Sequence, residues 1–391
     1  MRSGRVTSGR VVVVVRHRCA TDDEQRADRY APVMDFEVRR TDLRQHRIVD
    51  GQFVPLADGE VLLRVDECAL TANNITYAAF GEVMRYWDFF PAADPAWGRI
   101  PVWGFADVEQ SRTPGIAEGD RVYGYFPMST HLTVTPTRVS DRSFVDGVAH
   151  RAALPPVYNQ YQRVTSRTTI DAERLQSVLR PLFTTSFLID AWLGEQAMFG
   201  ARSVVVASAS SKTALALAAS LQANREVEVV GLTSARNAEF VGSTGYYDHV
   251  VVYGEVAQLD ASVPTVLVDI GGDGQVLAEV HHHFGDQLRH SCQVGATHWE
   301  QVGAPAGLPG PRPTLFFAPD QIQRRVAEWG GAGYEARVDA AYAAFSDSAA
   351  RWMDVVVHRG AAAVTAVYPE VLEGRIAPST AVVIALGSAG S

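Results

Sequence analysis

The run Arg202-Ser-Val-Val-Val-Ala-Ser-Ala-Ser-Ser-Lys-Thr-Ala-Leu-Ala-Leu-Ala constrains this chain more than any other segment. An apolar stretch of strand length gives way to a turn of small polar residues, then to a helix-forming run of Ala and Leu. The first free N–H groups of such a helix, and the positive end of its dipole, face an anion, and small side chains let a phosphate approach the backbone. The layout is that of a dinucleotide phosphate site. Ser and Ala stand where glycines are usual.

The same alternation continues downstream. Apolar strands are read at 204–207, 227–232, 249–252, 263–270 and 292–295, with helical stretches between them, and this rhythm predicts an α/β fold with a parallel, doubly wound sheet. Helical patterning follows at 320–329 and 334–350, and the end of the chain, 362–386, returns to strand, helix and strand. From about 35 to 150 the texture is different: short strands such as Glu60-Val-Leu-Leu-Arg-Val-Asp-Glu-Cys-Ala-Leu, Arg121-Val-Tyr-Gly-Tyr-Phe and His131-Leu-Thr-Val-Thr-Pro predict a β-rich domain. The Gly- and Pro-rich stretch 303–313 reads as an exposed connection of a length that also borders sites.

At 391 residues, 47% of them hydrophobic, the chain is long enough for two domains with their own cores. A net charge of -9 argues against a nucleic-acid surface, which needs clustered Lys and Arg. Cys19, Cys68 and Cys292 have neither metal-like spacing nor the number for a disulfide framework, so a cytoplasmic location is expected. No apolar run approaches the roughly 20 residues that cross a bilayer, so no membrane partner is expected. Residues 1–33, Arg-rich and closing on Thr21-Asp-Asp-Glu-Gln-Arg-Ala-Asp-Arg, are expected to form a disordered arm.

Several blocks carry a resemblance. Ile100-Pro-Val-Trp-Gly-Phe-Ala-Asp-Val is followed by Gly115-Ile-Ala-Glu-Gly-Asp-Arg-Val-Tyr-Gly-Tyr, whose tetrad Gly119-Asp120-Arg121-Val122 is the most specific piece. Thr71-Ala-Asn-Asn-Ile-Thr-Tyr and the strand end Val268-Asp-Ile-Gly-Gly add to it. Together they resemble the medium-chain dehydrogenase/reductase superfamily, in its zinc-independent, quinone- and enoyl-reductase-like part. The chain is most similar to a domain-of-unknown-function branch that keeps Ser-Ala-Ser-Ser-Lys-Thr and Pro-Val-Trp-Gly-Phe. The resemblance implies a GroES-like β-barrel built from 34–178 plus 351–391, a Rossmann domain over 179–350, and a homodimer.

Zinc-dependent members place a Cys early in the barrel and a His-Glu pair after the glycine of the first block. Here Gly104 is followed by Phe105 and Ala106, Thr71 falls near the Cys position, and catalytic zinc needs about three protein ligands. No metal is expected. His281, His282 and His283 are consecutive on a helix, point in different directions, and read as a solvated helix surface.

Laid on the superfamily's glycine-rich turn, Ser208, Ser211, Lys212 and Ala214 occupy the glycine positions, and Ser208, Ser210, Ser211, Lys212 and Thr213 become the expected phosphate contacts. The second strand ends in Thr233-Ser234-Ala235-Arg236, where hydroxyls and a guanidinium suit a 2′-phosphate, so NADPH is the expected cofactor. Tyr253 matches a position near the adenosine phosphate, and Thr185, beside Thr184 just before the first Rossmann helix, one near the nicotinamide. Tyr77 is the expected proton donor and Asn74 the group that orients the acceptor, a small apolar carbonyl compound, quinone or activated alkene. Trp97 and Trp103 join an aromatic region that suits an apolar pocket, and Tyr158, Asn159 and Tyr161 a polar edge to the cleft. Two other classes stay open: a non-catalytic dinucleotide-binding or interaction protein, and a P-loop NTPase with Mg²⁺ beside Thr213 and Asp269.

Overall fold

The computed structural model describes residues 33–51, 54–165, 168–295 and 307–387. The expected disordered arm, up to Pro32, and part of the Gly/Pro-rich loop lie outside the described residues.

Ten strands come first: β1 (Met34–Arg39), β2 (Asp42–Asp50), β3 (Val61–Ala69), β4 (Trp97–Gly98), β5 (Pro101–Ser111), β6 (Arg121–Pro127), β7 (His131–Val134), β8 (Pro136–Thr137), β9 (Ser143–Asp146) and β10 (Gln160–Arg163). A short helix α1 (Ala72–Ala79) follows β3, and the long helix α2 (Ile170–Glu195) leads out of the β-rich region. β11 (Ser203–Ala207), α3 (Lys212–Asn224), β12 (Glu228–Thr233), α4 (Ala238–Ser243), β13 (His249–Val252), β14 (Thr265–Asp269), α5 (Gly274–Phe284), β15 (Leu288–Gln293) and β16 (Thr314–Leu315) form the doubly wound part. Helices α6 (Ala318–Trp329) and α7 (Gly331–Ala349) come next, and β17 (Asp354–Arg359), α8 (Ala361–Leu372) and β18 (Thr380–Ala385) complete the described fold.

The parallel sheet has the order β13-β12-β11-β14-β15-β16. In chain order this is 3-2-1-4-5-6, the arrangement in which the first and fourth strands part and leave a crevice at their carboxyl ends. Every residue of β11 and β14 is buried, because helices cover both faces, and this is why they read as unbroken apolar runs. β15 departs from expectation: it begins at Leu288 rather than 292. Its polar residues are accommodated individually, Ser291 against His281 and His290 stacked on Phe199 at 4.3 Å.

The larger sheet runs β17-β18-β3-β5-β6-β10-β9-β8, with β7 also on β3, and is antiparallel apart from the parallel pair β17-β18; a smaller antiparallel one runs β2-β1-β4. β3 is central and buried along most of its length. β18, from the far end of the chain, pairs with it through Val383↔Ala69 and Ile384↔Cys68. Its side chains alternate between two cores: Ala381 and Val383 pack with α2 and α3 residues such as Leu179 and Leu217, while Val382 and Ile384 pack with barrel residues such as Val102 and Phe126. Ion pairs reinforce the join. Glu67 of β3 accepts from Arg174 of α2 and from Arg359 of β17, and Arg121 of β6 bonds Glu173 of α2 and Asp107 of β5.

Candidate functional site

The carboxyl ends of β11 and β12 open onto a cleft of about 760 Å³ shared with α1, the start of α6 and the chain before β18. Ser208, Ser210, Ser211, Lys212, Thr213, Thr233, Ser234, Arg236, Tyr253, Thr185 and Tyr77 all line it. The fold therefore gathers the expected cofactor contacts and Tyr77, but not Asn74, in one cleft.

The glycine-free turn is accommodated locally. Ser208 takes the left-handed conformation, φ 60°, that a glycine would take without strain. Its N–H donates to the Tyr253 hydroxyl at 3.2 Å. Ala209 is fully buried, and the space its methyl occupies is left by Gly231 of β12, where an added Cβ would lie 3.0 Å from it and 2.8 Å from the Tyr247 ring. Ser211 is the N-cap of α3, its hydroxyl accepting from Ala214 N–H at 3.2 Å. Ser210 accepts from Asn237 at 3.0 Å.

Lys212 starts α3, at the positive end of its dipole, and its Nζ donates to the carbonyls of Pro378 (3.2 Å) and Thr380 (2.8 Å). Burial with only neutral partners pushes its pKa down to about 8. At the end of β12 the hydroxyls of Thr233 and Ser234 are buried and have no hydrogen-bond partner among the described residues. Arg236 beside them is exposed, with one nitrogen on the Gly374 carbonyl at 3.1 Å. Two unsatisfied donors and a guanidinium at this position are fitted to an anionic, hydroxyl-bearing ligand.

The other end of the cleft is aromatic. Tyr77 is 7% exposed, its ring centroid 4.6 Å from that of Tyr86 and 5.6 Å from that of Tyr125. Trp103 Nε1 donates to the Tyr77 hydroxyl at 3.4 Å. An indole nitrogen only donates, so the phenol oxygen is the acceptor and its own proton points elsewhere. Burial raises the Tyr77 pKa, which keeps the phenol neutral. The Tyr86 and Tyr158 hydroxyls meet at 3.3 Å, and both rings line the cleft.

Several expectations are corrected. Asn74 is 2% exposed and its amide is committed: Oδ1 accepts from Thr71 N–H at 2.7 Å, and Nδ2 donates to the Pro101 carbonyl at 2.8 Å. It closes the first turn of α1 and holds it to β5. Thr184 and Thr185 lie inside α2, not before a helix, and bond back to the Arg180 and Pro181 carbonyls; Thr185 alone of the two lines the cleft. Tyr161 is fully buried, stacked on Phe144 with its hydroxyl on the Tyr125 carbonyl, and Asn159 bonds the Arg151 carbonyl, so of the expected polar edge only Tyr158 reaches the cleft. Trp97 lies outside it, under Arg47. His281 is fully buried between Pro309 O and Ser291 Oγ, whereas His282 is exposed. Asp269 accepts from Gly271 and Gly272 N–H, both at 3.0 Å, and so shapes the turn after β14. Among the described residues no group of His, Cys, Asp or Glu is arranged to hold a metal ion.

The sequence did not reveal the walls formed by Leu315–Pro319 and by Val371–Gly374 with Ile376–Pro378. The first follows the Gly/Pro-rich loop, whose length was the available signal. The second comes from the returning chain, and only folding brings it there.

Solved structures share this architecture across nearly their whole length. CurA from Vibrio vulnificus in complex with NADPH is 14% identical, with 91% of this chain and 100% of that one covered and a TM-score of 0.59. S. aureus TarJ in complex with NADPH is 10% identical, covering 91% and 99%, with a TM-score of 0.56. The yhdH oxidoreductase from Salmonella enterica in complex with NADP is 13% identical, covering 90% and 99%, with a TM-score of 0.51. No curated protein sequence matches the chain. The fold is a GroES-like domain joined to a Rossmann domain, as in these structures. A family model described as "Protein of unknown function (DUF2855)" matches residues 68–377, and the chain belongs to that family.

Proposed function

We propose that the cleft binds NADPH and reduces a neutral activated alkene, quinone or ketone without zinc. The observation that carries this reading is the pair of unsatisfied hydroxyls, Thr233 and Ser234, with Arg236 at the end of the second strand of a 3-2-1-4-5-6 sheet. That position meets the adenosine ribose in dinucleotide folds, and this donor set favours a 2′-phosphate over a free hydroxyl. Neighbours crystallised with NADPH or NADP support the same choice.

The α3 N-terminus, Ser211 and Lys212 would meet the pyrophosphate, and Thr185 the nicotinamide end. When bound, the cofactor supplies a hydride to the electron-poor carbon of the acceptor. Tyr77 holds the compensating proton on a neutral phenol whose oxygen is fixed by Trp103. A proton from solvent restores the phenol. The aromatic floor excludes water and suits an uncharged acceptor. A homodimer is the assembly this reading favours.

The deciding experiment is a fluorescence titration of NADPH and NADH into the protein, the Arg236→Ala variant and the Lys212→Ala variant. Tighter binding of NADPH, a preference narrowed by Arg236→Ala, and weaker binding of both nucleotides in Lys212→Ala are expected. Binding of neither nucleotide overturns the reading in favour of an interaction protein on a reductase fold.

A further inference from the structure

We infer that the substrate carries a hydrocarbon tail, and that Val83 and Leu315 hold this tail at the mouth of the cleft. The inference rests on the reading of the cleft as a reductase site and adds a class of substrate to it. Val83 is 80% exposed and Leu315 63%, the two large apolar side chains of the cleft lining that are exposed among the described residues. One lies just after α1 and the other on β16. Large apolar side chains turned toward water beside a cavity mark a place where apolar surface is to be covered.

The walls behind them are continuous with the aromatic floor. Tyr77, Phe80 and Met84 follow one another at helical spacing, and the turn is held by Phe80 N–H on the Thr76 carbonyl and Met84 N–H on the Phe80 carbonyl. Phe316 and Phe317, which follow Leu315, also line the cleft. The lining side chains that bear charge are Arg44, Lys212, Arg236 and Glu373, and none belongs to the segments 80–84 or 315–319. A reacting group at Tyr77 therefore leads outward over side chains that offer dispersion contact and no charge to a carboxylate or phosphate. The complementary ligand is a neutral enone, ketone or quinone with an alkyl chain.

The test is calorimetric binding of the 2-alkanones from butan-2-one to decan-2-one to the full-length protein, with and without NADPH. The dissociation constant is expected to fall by roughly two- to fourfold for each added methylene. Val83→Asp and Leu315→Asp, both at exposed positions, should flatten that series while leaving butan-2-one unchanged. Val356→Asp, exposed but outside the cleft, should keep the wild-type slope. A flat series in the wild type, or an undiminished slope in both cleft variants, overturns the inference. NADPH binding with a flat series removes the tail alone, whereas a steep series without any nucleotide binding removes the reductase reading alone.

Discussion

The hydroxyl of Tyr253 accepts the backbone N–H of Ser208 at 3.2 Å, joining the end of the third parallel strand to the turn after the first. The bond occupies a backbone donor of the turn after β11 and leaves the phenolic proton directed away from it. Tyr253→Phe removes one donor to a bound phosphate and strands the Ser208 N–H. A loss of about fivefold in NADPH affinity, the equivalent of roughly 1 kcal/mol, is expected by fluorescence titration.

Ser208 itself is strained at φ 60°. Ser208→Gly removes a left-handed penalty of about 1–2 kcal/mol and adds roughly 0.5–1 kcal/mol of unfolded-state entropy. Urea denaturation should show a gain of up to about 1 kcal/mol. Ser208→Val should be less stable than the wild type, because a β-branched residue tolerates this conformation worst.

Lys212 gives a pH dependence with a definite sign. Its pKa in the free protein is depressed to about 8, and a phosphate on the ammonium raises it again. Binding therefore takes up a proton above pH 8. NADPH affinity should be flat below pH 8 and fall as the pH rises beyond it, and Lys212→Met should bind weakly with no such fall. A titration at several pH values, repeated in a second buffer of different ionisation enthalpy, reads the proton uptake directly.

Asn74→Ala should behave as a stability variant. It leaves the Thr71 N–H and the Pro101 carbonyl without their partners in a buried place, a cost of about 2–3 kcal/mol by denaturation. Its NADPH affinity should match the wild type within a factor of about two.

Tyr77→Phe separates the phenol's proton from its ring. The variant keeps the packing against Tyr86 and Tyr125. Its single-turnover hydride rate should drop by at least about tenfold at unchanged NADPH affinity, and stopped-flow absorbance of the nicotinamide checks this.

What the sequence made legible follows from how far apart interacting residues lie. β11, β12 and β14 announced themselves because a sheet covered on both faces requires unbroken apolar strands. The turn between β11 and α3 was readable because its residue types and spacing are local. Asn74 was assigned to the acceptor because its partner at Pro101 lies 27 residues away, in a strand whose register no local pattern discloses. The same holds for Tyr161, which reads as a polar residue until its hydroxyl is seen on the Tyr125 carbonyl. Thr185 was read as preceding a helix from the superfamily resemblance, yet α2 runs through it. His281 reads as surface because only the fold brings Ser291 and the Pro309 carbonyl to its two nitrogens.

β18 sets an order on synthesis. Residues 380–385 fill a slot beside β3 that the chain opens more than three hundred residues earlier, and one side of this strand finishes each core. Until those residues leave the ribosome, β3 keeps an unpaired edge over part of its length, and the floor beneath Lys212 is absent. The amino-terminal part thus waits for the carboxyl-terminal one, against the usual direction in which domains mature. A chain stopped before Thr380 would be an open-edged intermediate, prone to association and proteolysis, rather than a shorter version of the same fold.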